Sequence, residues 1–346
     1  MTAWYQWVRV CARTNAGGWR VTVKGTRRWP LVAALVIGLG LALAPVAFQM
    51  FSRAPKGGDM IDGFRPYMRP AKIAEFQGYI AELRDADHEF STGLTPMLQD
   101  RLGLTDAQIR TQFPPFATFH ADWPTIDADM TDMLSKMERN VDNYEAVAAL
   151  PPFPLFPWFF VAPGLIIAGL AGWGLRRSGR GLSSRPVAIA LVVMGLGVVA
   201  APAIFQMFSR APKGADMIDD FRSLMTTEKL RSIQGYFVAI GAGEGSLRTG
   251  VLPGLAAQDA VSAASLANEF PDAQAFIRDW PTMFQEFAPM IGTMQGNVDN
   301  YAAVDALPPF GLFPWFFVVP GVLVAALGIA AGRPQRSDAP TPTSTV

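Results

Sequence analysis

The residues able to do chemistry in this chain are few, and they come in pairs. Arg53 and Lys56 lie in 48–62, FQMFSRAPKGGDMID, and Arg210 and Lys213 hold the same places in 205–219, FQMFSRAPKGADMID, identical at 14 of 15 positions. Arg binds phosphate through parallel N–H donors and Lys acts as a point charge, so two cations among Phe and Met could grip an anionic lipid headgroup. The plainer reading is a snorkelling pair at a helix end, matched locally by Asp59 and Asp62. A second polar block supplies Asn140, Asp142, Asn143 and Tyr144, repeated as Asn297, Asp299, Asn300 and Tyr301. On a helix, positions 140 and 144 share a face, so an amide and a phenol could contact a ligand or a neighbouring subunit. The competing expectation is an internal hydrogen-bond network, since a tyrosine on an apolar stripe is usually packed with its hydroxyl satisfied.

Other chemistry is sparse. Asp85, Asp87, His88 and Glu89 are metal-ligand types, but the second copy has Ala242, Glu244, Gly245 and Ser246 there, so a solvated turn and no metal site is expected. His120 falls opposite Ile277 and suits a structural or surface role. One cysteine, Cys11, and two histidines leave no disulfide framework and no multi-cysteine metal centre. Cys11 itself reads as an ordinary thiol rather than a palmitoylation site. No phosphate loop, nucleophile elbow or paired acid spacing occurs, so neither catalysis nor a cofactor is expected.

These pairs arise because the chain is one module written twice. An offset of 157 residues, without a gap, carries Asp122-Trp123-Pro124-Thr125 onto Asp279-Trp280-Pro281-Thr282, and 140–164 matches 297–321 at 21 of 25 positions. Each module begins and ends in an apolar run. Runs at 31–48, 157–175, 187–205 and 314–332 contain no charge and have 18 or 19 residues, near the ~20 that a helix needs to cross a bilayer core. Four transmembrane helices follow. The first is read as a retained anchor, because Pro45 follows the only signal-cleavage pattern and the matching run in module two is internal. Trp158 and Phe159, with Trp315 and Phe316, should sit at the headgroups as an aromatic belt.

Charge orients the spans. The N-terminal 1–30 and the loop 176–186 are basic without acid, while 49–156 and 206–313, 108 residues each, have net charges of −6 and −5. The positive-inside rule then places both termini and the loop in the cytoplasm and both 108-residue segments outside the plasma membrane. The total of 29 basic and 29 acidic residues is two opposed blocks cancelling, and no nucleic-acid partner is expected. The tail 333–346 is weakly basic and ends in Ser, Thr and Pro.

Periodicity makes the outer segments helical. Ile73, Phe76, Ile80 and Leu83 recur at helical spacing, as do Ile126, Met130, Met133, Met137, Tyr144 and Val147, with counterparts in module two. Pro124 and Pro281 suit a first helical turn with Asp122 and Asp279 as caps, and Pro289 should kink or interrupt its helix. The methionine stripe is expected to be core rather than a greasy pocket. The fold class is therefore an all-α membrane protein of two tandem modules, each a span, an extracytoplasmic helical bundle and a second span. Small residues along the spans, among them Gly38, Gly40, Gly164, Gly172, Gly195, Gly197, Gly328 and Gly332, should let helices approach closely.

The basic lead, the Ala-Pro-Lys-Gly-x-Asp-Met block and the Phe-Pro-Trp-Phe-Phe-x-x-Pro-Gly block resemble those of a group of uncharacterised, largely actinobacterial membrane proteins. The resemblance covers both modules and implies no activity, substrate or site residue. The expectation from the residues is a non-catalytic accessory or scaffold subunit of a cell-envelope complex, with membrane lipids and a membrane protein or a second copy as partners. The alternatives are an outer-leaflet lipid or amphiphile binder and a sensor whose output lies on a separate chain.

Overall fold

The computed structural model describes residues 28–180, 182–259 and 263–333. In module one the helices are α1 (Trp29–Ala47), α2 (Met50–Phe64), α3 (Pro70–Glu89), α4 (Thr95–Leu102), α5 (Asp106–Gln112), α6 (Pro114–Arg139), α7 (Val141–Ala148) and α8 (Phe156–Gly179). Module two repeats the order as α9 (Arg185–Ile204), α10 (Met207–Phe221), α11 (Thr227–Ser246), α12 (Leu252–Asp259), α13 (Ala263–Glu269), α14 (Pro271–Gly296), α15 (Val298–Asp305) and α16 (Phe313–Gly332). Among the described residues there is no strand. The chain is an all-α, multi-pass membrane protein: α1, α8, α9 and α16 are long and apolar enough to cross a bilayer. Cys11 and the basic lead up to residue 27 lie outside the described residues, as does the tail from residue 334.

Glycine sets how closely the spans pair. A Cβ at Gly38 would lie 2.7 Å from the Ala168 nitrogen and 2.8 Å from the Gly164 oxygen, and one at Gly195 would lie 2.6 Å from the Gly321 oxygen. Only a residue without a side chain lets α1 meet α8, and α9 meet α16, at that distance. Gly40, Gly172 and Gly197 have nothing within 4 Å and face outward. Contacts of α8 with α9 and of α16 with α1 close the four spans into one bundle.

Each span pair is continuous with the polar segments through a short break. Gln49 and Gln206 adopt a left-handed conformation at φ 54°, turning the chain from α1 into α2 and from α9 into α10. Ser52 and Ser209 hydroxyls donate to the Gln49 and Gln206 carbonyls at 3.0 Å and hold that turn. At the other end Pro151 and Pro152 stop α7, and a 3-10 turn at Phe153–Leu155 leads into α8.

The two inter-span segments form one interlocked head. Its long helices are α3, α6, α11 and α14, and α6 packs on α11 while α3 packs on α14, across the module boundary. Likewise α10 packs on α7 and α15 on α2. The contacts are reciprocal, the signature of a twofold relation. Lys229 bonds Asp129 at 2.5 Å, and its counterpart Lys72 bonds Glu286, the counterpart of Asp129, also at 2.5 Å. Three rings meet their own counterparts and so mark a pseudo-twofold axis: Phe119 with Phe276, Phe156 with Phe313, and Phe160 with Phe317, at 5.6, 6.3 and 4.5 Å between centroids.

Three local expectations are corrected. Pro124 and Pro281 do not start helices; α6 and α14 begin ten residues earlier, at Pro114 and Pro271, and run through them. Pro289 does not interrupt α14. The apolar stripe of Phe276, Trp280, Met283, Phe287 and Met290 is buried along its whole length, and Pro289 sits on the exposed side, where displaced carbonyls can tilt toward water. Asp85, Asp87, His88 and Glu89 are not a solvated turn but the last turn of α3. Asp87 pairs with His120 at 2.5 Å, and Glu89 accepts from the Ala273 N–H at 2.7 Å, where α14 begins.

Candidate functional site

The two arginines flanking the spans are spent across the module boundary. The half-buried Arg53 donates to the Ala306 carbonyl at 2.8 Å, and Arg210 donates to the Ala149 carbonyl at 2.7 Å. Ala306 and Ala149 follow the last residues of α15 and α7, so each guanidinium caps the carbonyl end of a helix in the other module. Lys56 and Lys213 are half-buried on the same helices. Of the local acids, Asp62 pairs with Arg65 at 2.6 Å, and its counterpart Asp219 with Arg222 at 2.8 Å.

The Asn and Tyr blocks close a network at the joint between the long helices and α7 or α15. Asn140 is fully buried and donates to the Lys136 carbonyl at 2.9 Å and to Asp220 of module two at 2.7 Å. Asn143 and Asn300 donate to the Asn140 and Asn297 side-chain oxygens at 2.9 Å. Asn297 has no carboxylate opposite, because Gly63 stands where module two has Asp220. Tyr144 donates to the Ile61 carbonyl at 2.5 Å, and Tyr301 donates to the Ile218 carbonyl. Burial pushes the Tyr301 phenol up to about 12 and raises Tyr144 as well, so both stay protonated donors. Asp142 and Asp299 are exposed in the first turns of α7 and α15, where a negative charge suits the helix dipole.

Aromatic rings ring the junction of head and spans. Trp158 and Trp315 are exposed and meet Phe51 and Phe208 edge-on at 5.7 and 5.9 Å. Phe159 and Phe316 are half-buried and cross the module boundary to Phe205 and Phe48.

Two further features stand out, one at the methionine stripe, where the pocket alternative was set aside, and one not singled out from sequence. The first is an axial cavity of about 50 Å³ bounded by Met60, Ile61, Phe64, Met68, Met133, Met137 and Tyr144 and by the same seven positions of module two. The methionine stripe was expected to be core, and it is buried; what periodicity could not show is that two copies of it converge on one space.

The second is a groove of about 580 Å³ between α11 and α14, floored by Phe237 and Trp280 and rimmed by Val238, Gly241, Phe284, Ala288 and Gly292. Val238 is 72% and Phe284 46% exposed. Module one fills the equivalent place with polar bonds. Arg84, the counterpart of Gly241, binds Asp127 through Nε at 3.1 Å and Nη2 at 2.5 Å, and Thr131 bonds Asp127 at 3.3 Å. Asp127 is the counterpart of Phe284 and Thr131 of Ala288. No exposed residue of α11 from Gln234 to Ser246, or of α14 from Pro281 to Gly296, is charged, whereas Arg84, Asp85, Asp132, Glu138 and Arg139 are exposed at the matching positions of α3 and α6. The signal was available in the repeat itself, as charged residues of one copy aligned with apolar ones of the other. No protein-family model matches the chain, and no curated protein is significantly similar to it.

Proposed function

We propose that the chain is a non-catalytic accessory subunit of a cell-envelope membrane complex, with cytoplasmic termini and the head outside. The observation that carries the reading is the α11–α14 groove, apolar and uncharged where the other copy carries an Arg84–Asp127 pair. An exposed apolar face rimmed by neutral residues is the chemistry of a protein-docking surface, since charges are depleted at interface centres and aromatics enriched there. The occupant this chemistry suits is an envelope protein presenting an apolar helix or loop, because a charged partner would lose hydration against the groove without finding an opposite charge. The test is extraction from the native membrane in mild detergent or nanodiscs and mass spectrometry of the particle. A stoichiometric protein that is lost on closing the groove with Gly241→Arg and Phe284→Asp supports the reading. A particle with no protein partner, or a partner indifferent to that change, overturns it.

A lipid-binding reading draws on a different place. A cleft of about 240 Å³ between α8 and α9, lined by Trp158, Phe159, Met194, Gly197 and Phe205, has the apolar walls and aromatic mouth that suit an acyl chain at the headgroup level. Native mass spectrometry would then find a bound lipid, and Gly197→Leu would displace it without affecting any protein partner.

A further inference from the structure

Eight of the fifteen methionines of this chain line one cavity. They come as four pairs, Met60 with Met217, Met68 with Met225, Met133 with Met290, and Met137 with Met294, arranged about the pseudo-twofold axis. All seven pairs of lining positions are identical between the copies. Buried positions elsewhere in the head are mixed: Leu98, Phe119 and Trp123 recur as Leu255, Phe276 and Trp280, while others have changed. Phe76 is replaced in the second copy by Ile233, Ile80 by Phe237, Met130 by Phe287 and Phe116 by Ala273, all in the core. Volume-conserving swaps among Met, Leu and Ile are the best tolerated of core changes, so packing alone does not require a thioether at eight places.

Packing also fails to explain the space. Methionine is the most adaptable of core side chains and closes irregular gaps, yet eight of them leave about 50 Å³ open at their centre. That volume is under twice the roughly 30 Å³ share of a liquid water molecule, too small for an acyl chain or an aromatic ring.

The walls decide what could sit there. Among the described residues no carboxylate, imidazole or thiol lines the cavity, and the two phenols are committed as donors to the Ile61 and Ile218 carbonyls. Hard cations such as Mg²⁺ and Ca²⁺ need oxygen ligands, and Zn²⁺ takes thiolate, imidazole or carboxylate. Thioether sulfur is a soft ligand that selects Cu(I). A single positive charge is the least costly to bury, and the surrounding head, with net charges of −6 and −5 on its two segments, draws cations toward it.

We propose that the axial cavity binds one soft monovalent metal ion, Cu(I) or its analogue Ag(I), through thioethers contributed by both modules, chiefly Met60, Met133 and Met137 with Met217, Met290 and Met294. The site exists only because the modules interlock, so neither copy could supply it alone.

The test uses the full chain purified in detergent. Ag(I), and Cu(I) offered under a chromophoric competing chelator, are titrated, excess metal is removed, and bound metal per chain is measured together with the X-ray absorption edge. The expected result is one ion per chain with a sulfur-only first shell and no retention of Zn²⁺. Met133→Leu with Met290→Leu removes one sulfur from each module at nearly constant volume. It should weaken binding by more than about 100-fold, the upper end of what removing only an outer-shell partner costs at a metal site. Met60→Leu with Met217→Leu is a second variant of the same kind, and circular dichroism verifies that each is folded. Met130→Leu with Met283→Leu, buried on the same helices but outside the cavity, should bind as the parent does. No retained metal, an oxygen or nitrogen first shell, or equal binding by folded cavity and control variants would each overturn the proposal.

Discussion

The half of the head nearest the spans and the half farthest from them have diverged to different degrees, although both were doubled together. Near the spans, the cavity positions, the Arg53 and Arg210 caps and the Tyr144 and Tyr301 bonds are the same in both copies. Farther out, Phe76 stacks on Phe287 at 4.4 Å while their counterparts are Ile233 and Met130, and Gly243 accommodates Phe119, whose ring would lie 2.9 Å from a Cβ there. The outer half shows what packing permits when only volume must be kept: large and small side chains trade across the axis. The inner half keeps identities at the cavity, the arginine caps and the tyrosine bonds, which packing does not demand. The outer half also separates the two faces, one holding the Arg84–Asp127 pair and the other Gly241 and Phe284 at the same positions.

The comparison can be broken most directly by moving the groove. Arg84→Gly with Asp127→Phe and Thr131→Ala gives module one the surface of module two, and the expected outcome is a second partner bound per chain, read as a doubled stoichiometry in the purified particle. A large effect on folding is expected in the spans. Leucine at Gly38 must push α1 from the α8 backbone, an overpacking cost of at least about 1–3 kcal/mol, and should abolish most folded protein in a detergent thermal-shift assay. Leucine at Gly40, which faces open space, should leave the same assay unchanged.

Within the conserved half, Arg53→Met removes a cation from a helix carboxyl end and should cost about 1 kcal/mol, with Arg210→Met costing a similar amount if the twofold relation holds. In the divergent half the relation should fail. Glu89 caps α14, while its counterpart is Ser246, so Glu89→Gln should lower stability by about 1 kcal/mol and Ser246→Ala by much less.

The smallest effect concerns pH. The bond to Asp87 raises the His120 pKa above its ordinary value of 6.5 despite burial. A raised folded-state pKa stabilises fully below the unfolded value and is lost as pH climbs through the folded one. Thermal midpoints of the parent should therefore fall slightly as pH rises above 6.5. In His120→Gln, which like Ile277 does not titrate, that slope should flatten.

Much of this was legible in the residues. Apolar runs of 18 or 19 residues without charge can only be satisfied in lipid as helices, because every backbone group must bond within its own segment. The buried stripes of α3 and α6 followed from their spacing. Helix starts were misplaced at Pro124 and Pro281, because proline reads as punctuation locally while a continuous buried stripe carries a helix through it. The Asn and Tyr blocks were visible as polar pairs, but their partners were not: Asp220 lies 80 residues from Asn140, and Ile61 lies 83 from Tyr144.

The residues alone determined that the chain is helical, doubled and built to cross a membrane four times, since those properties follow from hydropathy, period and repetition within a short stretch. Only the tertiary structure decided that the two polar segments form one head rather than two. A duplicated sequence is equally compatible with each copy folding on itself or on its twin, and the choice rests on which faces bury more surface and which cations reach a partner. The methionine cavity and the uncharged groove exist because of that choice.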